Sequence, residues 1–425
     1  MDLRYSCKDI DNIFNLQNKF SSYLKVELAA LEAWEKEGLF DKSTLEKLQK
    51  ASFKLEDVLE EENQTHHDVV AFINVVNKSL GEESRFFHYG LTSTDIVDTA
   101  YSVMIKEASV ILQNEIDSFL VLLKQKAYLY EDTLTLARTH GKNAEITSFG
   151  LKYCLWYDEL RRLNKIFNST LDNLCVSKLS GAVGNYSANN INLEKHASKI
   201  LGLNEINISS QVLPRDLHAA FITSIALLGS LLASIALEFR LLAQDGINEA
   251  NEFFSEKQRG SSAMPQKRNP INFEQICGLS RILNSYINPA FENIMLWHER
   301  DISHSSVERI IIPDSFHLIV YMFRKMNKLV DNVVIDKANM EQNIFLSYET
   351  TFSQRVLNYL IEVKQINRLN AYSILKDLSF EALNTKTNLS TLLYDRKILS
   401  KSVLKELFDP KYYLKYVPNI YKKIF

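Results

Sequence analysis

Apolar side chains recur at helical spacing along most of this chain. Tyr101, Met104 and Ala108 begin an apolar stripe at steps of three and four residues. Phe119 continues this stripe further along the same predicted helix. Comparable apolar periodicity covers roughly residues 98–127, 142–174, 215–250, 271–299 and 314–333, and shorter amphipathic helices are predicted within 10–60. The pattern predicts an all-α fold built mainly from long helices.

One segment, residues 219–237, contains no charged side chain and is close to the length of a membrane span. It also contains Gly229 and Ser230, and Asp216 and Arg240 lie just beyond its ends. A membrane helix is therefore one interpretation, but a helix that is apolar on all sides is also typical of the middle of a bundle. We favour the buried bundle helix, in a bundle that subunits could share.

Glycine and proline are scarce, with 12 and 7 residues, and the first proline is Pro214. Because proline interrupts helices, its absence from the first half favours long uninterrupted ones. After about residue 343 the pattern changes to shorter helices with more polar connections. We predict three domains: an N-terminal helical domain at 1–93, a central long-helix bundle at 94–343 and a C-terminal helical domain at 344–425.

Charge and cysteine usage narrow the functional classes. The net charge of the 425 residues is −3, so no overall basic field points to nucleic acid. The four cysteines show no CxxC or other paired metal spacing, and the N-terminus is neither a secretory nor a transit sequence. These features predict a cytoplasmic protein with free thiols.

The segment 260–270 carries the most distinctive chemistry. Gly260, Pro265 and Pro270 interrupt the helical pattern, and two adjacent serines, two cations and an amide lie between them just before a new helix. A helix N-terminus favours anions, and Lys267 and Asn269 could add a charge and hydrogen-bond donors to a bound carboxylate. A solvated polar loop is the alternative interpretation.

Histidines occur in three further polar clusters, at 65–68, 87–95 and 137–141. Histidine titrates near neutral pH and is the usual general acid or base. His66 and His67 are adjacent and cannot easily bind one ion together, and no HxxxH or HExxH spacing occurs. We therefore expect no metal site, and structural roles remain an alternative for each histidine taken singly.

The segment 297–309 combines two arginines with several hydroxyl groups. Arg300 and Arg309 suit a phosphate, because guanidinium groups match its oxygens. The alternative is an ion-paired helix surface that uses Glu299, Asp301 and Glu308.

Taken together, these segments resemble the fumarase/aspartase superfamily and, within it, the adenylosuccinate lyase family. Residues 260–270 resemble the superfamily's GSSxMPxKxNP motif, while 88–95 and 138–141 resemble two further family segments. The stretch 297–309 resembles one that separates this family from fumarases and argininosuccinate lyases. The resemblance runs essentially from end to end, and 180–184, Gln211, Arg215 and Asp216 also match the family pattern.

The resemblance implies a three-domain fumarase/aspartase-like fold whose central helices form the core of a homotetramer, with active sites shared between subunits. It implies β-elimination of fumarate from two nucleotide substrates, adenylosuccinate, giving AMP, and succinylaminoimidazole carboxamide ribotide, both in purine biosynthesis. No metal or organic cofactor, nucleic acid or membrane partner is expected. Another fumarate-releasing lyase, such as argininosuccinate lyase, and a non-catalytic tetramer on the same fold are the alternatives.

By similarity, Ser261 takes the substrate proton, His140 protonates the departing nitrogen, and Lys267 and Asn269 stabilise the carbanion. His67, His88 and Glu274 complete the expected catalytic set. The residues expected to hold phosphate and ribose are Arg4, Tyr5, Arg300, Ser306 and Arg309. Those expected to hold the succinyl carboxylates are Thr92, Ser93, Gln211 and Ser262. Further expected substrate contacts are His66, Asp68, Arg268, Gln275 and Ile310. The chain departs from the family pattern at His66, Asn143, Ile146, Gln266 and Gln275.

Overall fold

The computed structural model describes residues 2–255, 264 and 266–425. The chain forms two compact units. Unit 1 comprises Met1–Ser118, Arg162–Ala233 and Ile276–Met326, and unit 2 comprises Phe119–Arg161, Ser234–Gln275 and Asn327–Phe425. The divisions fall within long helices rather than in loops, and the division into three domains stays a prediction.

Helices account for most of the described residues, as the apolar periodicity predicts. In chain order they are α1 (Lys8–Phe14), α2 (Leu16–Lys36), α3 (Lys42–Leu48), α4 (Leu55–Thr65), α5 (Asp68–Asn77), α6 (Ser93–Leu129), α7 (Gly150–Leu174), α8 (Ile191–Leu201), α9 (Arg215–Leu242), α10 (Ile271–Ser285), α11 (Ile287–Glu292), α12 (Ser303–Asn332), α13 (Lys337–Phe345), α14 (Ser353–Glu362), α15 (Arg368–Thr385), α16 (Leu389–Asp395), α17 (Lys401–Leu407) and α18 (Val417–Ile424). Short 3-10 helices cover Leu3–Tyr5, Glu82–Phe86, Thr350–Phe352 and Pro410–Leu414.

The strands are short and form two-stranded sheets. They are β1 (Leu134–Thr139), β2 (Lys142–Ser148), β3 (Val176–Ser177), β4 (Asn204–Glu205), β5 (Ala250–Asn251) and β6 (Val334–Ile335). β1 and β2 form an antiparallel hairpin, β3 pairs with β4 in parallel, and β5 pairs with β6 antiparallel. The all-α prediction is confirmed apart from these small sheets.

Several predicted helix boundaries are wrong. Residues 142–148 form β2 instead of the start of a helix, because the alternation around Leu134 and Leu136 continues into a hairpin. The helix expected at 271–299 ends at Ser285. The helix expected to begin at 314 begins at Ser303 and includes Pro313, so the proline removes one helical hydrogen bond without ending the helix.

The uncharged segment lies in α9, the helix among the described residues that is long and apolar enough to cross a membrane. Within its most apolar window, 61% of the residues are buried inside the protein. Gly229 lies so close to α10 that an added Cβ would be 2.6 Å from Leu283 Cδ1. Leu227 and Leu237 nevertheless remain 40% and 47% exposed, so part of α9 is an uncovered apolar surface.

Each unit has its own core. In unit 1, Phe20 and Tyr23 of α2 pack on Phe72 of α5 with ring centroids 5.9 and 5.8 Å away, and Phe221 of α9 packs on Phe316 of α12. In unit 2, the helices from α14 to α17 enclose a cluster of fully buried side chains that includes Leu360. Such close-packed aromatic and aliphatic cores hold the functional segments at fixed positions.

Candidate active site

Unit 1 contains a cavity of about 250 Å³ that several predicted substrate-binding residues line. It lies between α2, the junction of α4 and α5, the start of α6, the start of α9, and the 300–309 segment. The predicted residues in its wall are His66, His67, Asp68, Ser93, Arg300 and Arg309. The structure therefore brings together residues from three separate sequence clusters.

A buried ion network forms one wall of this cavity. Arg215 donates to both oxygens of Asp98 at 2.8 and 2.9 Å and to both oxygens of Glu308 at 2.9 and 3.1 Å. Burial alone would raise the pKa of Asp98, but the Arg215 charge and hydrogen bonds hold that pKa well below its usual range. Burial and the Asp98 charge raise the pKa of Glu308 to about 7. One arginine thus holds two carboxylates, from α6 and α12, at the start of α9.

Two buried histidines stand beside this network. Burial, reinforced by the Arg215 charge, lowers the pKa of His218 to about 3 and that of His304 to about 4. Both imidazoles are therefore neutral near pH 7. Nδ1 of His304 is buried and has no hydrogen-bond partner among the described residues, so it is a polar atom that a bound substrate could satisfy.

Asp68 anchors the opposite wall. Its Oδ2 accepts hydrogen bonds from Lys19 Nζ at 2.8 Å and from Arg309 Nη2 at 2.9 Å. Burial opposes ionisation, but these two cations outweigh it and lower the pKa of Asp68. The neighbouring His67 caps α5, with Nδ1 accepting from the Val70 amide at 3.4 Å. The Arg309 side chain is thus held by α5 while it remains half exposed.

Gln211 links two predicted parts of the site. Its Oε1 accepts from Arg300 Nη1 at 3.0 Å, and its Nε2 donates to the Ala182 carbonyl at 3.0 Å. Its carbonyl accepts from Thr94 Oγ1 at 2.6 Å. Gln211 therefore connects a predicted phosphate ligand with the glycine-containing 180–184 loop and with the start of α6.

The N-terminus of the 37-residue helix α6 carries Thr92 and Ser93. Asp95 accepts from the Thr92 amide at 2.7 Å and pairs with Lys178 Nζ at 2.5 Å, and both charged side chains are fully buried. Asp95 also accepts from the Gly181 amide at 3.1 Å. This arrangement fixes the helix end, where the helix dipole favours an anion.

The remaining predicted residues of unit 1 lie outside the cavity wall. Arg4 is exposed in the first 3-10 helix, and the Tyr5 ring packs edge-on against Tyr321 at 5.3 Å. Ser306 and Ile310 occupy the exposed side of α12. Thr92 is the chain neighbour of Ser93, which lines the cavity. His88 lies in the loop before α6 and has a positive φ of 63°. Their predicted roles stay predictions.

In unit 2, His140 occupies the tip of the β1–β2 hairpin. Thr139 pairs with Lys142, so His140 and Gly141 form a two-residue turn, and both have positive φ angles, 53° and 71°. This is the geometry of a type I′ turn, which costs a non-glycine residue some strain. His140 is exposed, and an added Cβ on Gly141 would meet no atom of the described residues within 4 Å. No described part of the chain therefore covers Gly141 at the tip.

The base of that hairpin is held firmly. Arg138 donates to both oxygens of Glu249 at 3.0 and 2.7 Å, and Glu249 is fully buried. Asn343 Nδ2 donates to the same carboxylate at 2.7 Å. A strained, exposed imidazole on a rigid base is suited to a catalytic role, since backbone strain concentrates at functional sites.

The segment before α10 lines a separate cleft of about 1070 Å³ in unit 2. Its described predicted residues include Lys267, which is exposed, Asn269, and Glu274 in the first turn of α10. Arg268 lies over the Phe254 ring at 6.0 Å. Gln275 is half-buried in α10. The predicted proton acceptor Ser261 and its neighbour Ser262 lie outside the described residues.

Among the described residues, no group of three or more His, Cys, Asp or Glu side chains is arranged to hold a metal ion. Gln266, where the family commonly has histidine, lines the cleft of unit 2 and is exposed. Asn143, another departure from the pattern, donates to Ser347 Oγ at 2.6 Å.

Sequence reasoning assigned no role to Asp98, His218 and His304, all of which line the cavity of unit 1. A usable signal was present. Asp98 interrupts the apolar face of α6, and His218 follows Arg215 by one turn at the start of the apolar helix α9. A charged or polar side chain on a face that must be buried requires a partner nearby.

Comparison with known proteins adds independent findings. Residues 10–282 match a family model described as lyase, and residues 349–424 match one described as adenylosuccinate lyase C-terminus. The chain is 41% identical over 426 residues to adenylosuccinate lyase of Streptococcus mutans serotype c, covering 99% of this chain and 98% of that protein.

Solved structures share the fold at low sequence identity. The crystal structure of fumarate lyase from Mesorhizobium sp. BNC1 matches with a TM-score of 0.89 and 19% identity, over 99% of this chain and 98% of that one. The 3-carboxy-cis,cis-muconate lactonizing enzyme from Pseudomonas putida matches with a TM-score of 0.89 and 21% identity, over 99% and 96%. The fold is therefore the fumarase-like all-α fold, and the chain belongs to the adenylosuccinate lyase family of carbon–nitrogen lyases.

Proposed function

We propose that this enzyme eliminates fumarate from adenylosuccinate, giving AMP, and from succinylaminoimidazole carboxamide ribotide. The observation that carries the proposal is the full-length similarity to adenylosuccinate lyase of Streptococcus mutans. The cavity of unit 1 supports it, because its walls carry the cationic groups that a nucleotide phosphate requires and that an amino-acid substrate does not.

We assign the phosphate to Arg300 and Arg309. Both arginines line the cavity, and each is already oriented by a hydrogen bond, to Gln211 and to Asp68 respectively. An arginine whose fork is held in place loses less side-chain freedom on binding a phosphate. The start of α6, with the hydroxyl groups of Thr92 and Ser93, would hold a succinyl carboxylate.

The chemistry removes a weakly acidic proton from the carbon beside a carboxylate and then breaks the carbon–nitrogen bond. In the proposed reaction Ser261 accepts the proton, and Lys267 and Asn269 stabilise the doubly charged aci-carboxylate that results. The electron pair of the carbanion forms the double bond of fumarate as the nitrogen departs, and His140 donates a proton to that nitrogen. His67 and His88 orient the substrate or assist His140, and Glu274 belongs to the same catalytic set.

We further propose a cytoplasmic homotetramer whose active sites combine residues of different subunits, with no metal or organic cofactor. Two observations support the shared site. Leu227, Leu237 and Leu241 leave an apolar surface uncovered on α9. Within the described part of the chain nothing covers Gly141 in the His140 turn, so a second chain could meet the turn there. Closed symmetric assemblies are the usual outcome for soluble oligomers of one chain.

The test is proton NMR of the purified protein with adenylosuccinate, followed through the vinyl signal of fumarate, with argininosuccinate in a parallel sample. We expect fumarate and AMP from adenylosuccinate and no fumarate from argininosuccinate. Fumarate from argininosuccinate alone would keep the fold and the elimination but overturn the phosphate assignment. No fumarate from either substrate, with a folded protein, would favour the non-catalytic alternative.

A further inference from the structure

A short hydrogen bond joins a buried carboxylate on α2 to a histidine in the loop before α6. Glu27 Oε1 lies 2.6 Å from His88 Nδ1. The Glu27 side chain is 1% exposed and the His88 side chain 18% exposed. A distance this short is typical of a charge-assisted hydrogen bond, and the two residues are 61 positions apart in sequence, so the fold creates the pair.

The Glu27 carboxylate has few other interactions. Oε2 is buried and without a hydrogen-bond partner among the described residues, and His88 provides the hydrogen bond to Oε1. A buried carboxylate is costly unless a charged or hydrogen-bonding group compensates it. Glu27 therefore favours a His88 ring that carries a proton on Nδ1.

The backbone around His88 is fixed in an unusual conformation. His88 has a φ of 63°, Trp34 Nε1 donates to the Tyr89 carbonyl at 3.1 Å, and an added Cβ on Gly90 would lie 2.5 Å from the Ala188 carbonyl oxygen. The loop thus cannot shift easily. Residues held in sparsely populated backbone conformations by their surroundings concentrate at functional sites.

The carboxylates that face His88 come from two helices. Burial alone would lower the pKa of His88, but the charge and hydrogen bond of Glu27 on α2, together with the charge of Asp95 on α6, raise it above its ordinary value. Asp95 is itself paired with Lys178, so Glu27 is the dominant partner. Because Glu27 engages Nδ1, Nε2 is the ring nitrogen left to meet another group, and Thr92 and Ser93 at the start of α6 follow four and five residues later in the chain.

We propose that Glu27 is a positioning residue, which holds His88 as an imidazolium with Nδ1–H directed at the Glu27 carboxylate so that Nε2–H donates to a succinyl carboxylate of the substrate. The identity of that anion rests on the proposed function. The pairing itself does not, because it is a property of the free protein. Carboxylates paired with histidine in other enzymes orient the ring and stabilise its imidazolium form in this way.

The first test is NMR titration of the ring nitrogens of His88 in the full-length protein, with the signal identified by its loss in His88→Gln. We expect a wild-type pKa above 6.5 and a lower one in Glu27→Gln. The matched control is Glu32→Gln, which removes a half-exposed carboxylate on the same helix that pairs with Lys36, and should leave the His88 signal unchanged. A wild-type pKa at or below 6.5 would overturn the proposal even if Glu27→Gln did not fold.

The second test measures fumarate release from adenylosuccinate. Without the Glu27 charge the imidazolium of His88 is less favoured and donates less strongly to the substrate carboxylate, so Glu27→Gln should lower kcat/KM about tenfold. The loss of kcat/KM should be larger at pH 8 than at pH 6. Without Glu27 the pKa of His88 is lower, so the ring of the variant still carries its second proton at pH 6 but not at pH 8. In a His88→Gln background, Glu27→Gln should change kcat/KM less than about twofold.

A pH-independent loss, or an equal loss with and without His88, would assign Glu27 a structural role only and overturn the inference. A wild-type enzyme that releases no fumarate would instead refute the proposed function, while the NMR titration would still decide whether Glu27 controls His88.

Discussion

The cavity of unit 1 and the His140 turn of unit 2 present their polar groups in opposite ways. In the cavity, Arg215 is 3% exposed and engages two carboxylates at once, and Arg309 is held by Asp68. At the turn, His140 is exposed and has a positive φ of 53°. The hairpin that carries it is held at its base by the hydrogen bond from Arg138 to Glu249.

The difference shows how binding and proton transfer place different demands on one chain. Groups that recognise a fixed anion benefit from being oriented in advance, because less freedom is lost on binding. A group that must give up a proton gains from the freedom to reach the atom that receives it. We therefore expect substitutions in the cavity to change folding stability, and substitution at the turn to change turnover.

The largest effect should follow from His140→Asn. Asparagine tolerates the positive φ of the turn but cannot donate the proton, so kcat should fall about 10²–10⁴-fold with an unchanged melting temperature. Steady-state kinetics and thermal unfolding measure the two quantities. The control is His196→Asn, which replaces an exposed histidine on α8 and should retain turnover.

Near-wild-type turnover in His140→Asn would remove this residue from the mechanism.

The same variant also tests the proposal that one active site combines residues of different subunits. Mixing it with an inactive Arg309→Met chain, under conditions of subunit exchange, should restore part of the activity if one chain supplies the turn and another the cavity. No recovery after verified exchange would mean that both groups come from the same chain.

The next largest effect should be on stability, from Arg215→Met. Methionine fills much of the volume but leaves Asp98 and Glu308 buried without a counter-charge, which costs about 3–5 kcal/mol of unfolding free energy. The control is Arg396→Met. Arg396 contacts both oxygens of Glu381 at 3.0 and 3.1 Å but is 60% exposed, so its loss should cost less than about 1 kcal/mol.

Equal costs for the two arginines, measured by denaturant unfolding at one protein concentration, would contradict a role for burial in this network. A fixed concentration matters because an oligomer couples stability to mass action.

The sequence predicts the long helices well because their apolar faces repeat over many turns. α6 and α9 begin within a few residues of their predicted starts. The hairpin was not predicted, because a single helical pattern was assigned to residues 142–174. The strong helical periodicity from Gly150 onward masks the strand Lys142–Ser148 at the start of that range. The helix predicted over 314–333 begins earlier, at Ser303, because Pro313 does not end α12 and buried side chains on both sides of it, Ile312 and Phe316, pack in the core.

The candidate site was predictable only as separate segments. Motif resemblance identified Arg300, Arg309 and Asp68, yet periodicity gives no distance between residues more than 200 positions apart. The contact between Arg309 and Asp68 spans 241 positions. The partners that hold these side chains, Lys19 and Arg215 among them, become visible only when helices from distant segments pack together.

The smallest of the expected effects concerns His304, whose depressed pKa links stability to pH. The unfolded chain binds a proton at this histidine near pH 6.5, whereas the folded chain binds it only near pH 4, because burial and Arg215 disfavour the imidazolium. Between these values the unfolded state holds more protons, so the unfolding free energy should fall as the pH falls from 6.5 to 4.

His304→Gln should make that slope shallower, by at most about 3 kcal/mol across the window, since water that enters the cavity on protonation reduces the penalty. The control, His196→Gln, replaces an exposed histidine and should leave the slope nearly unchanged. Identical slopes in wild type and His304→Gln would mean that burial does not hold the His304 ring neutral, and the cavity would then gain a positive charge beyond those of Arg215, Arg300 and Arg309 as the pH falls below about 6.5.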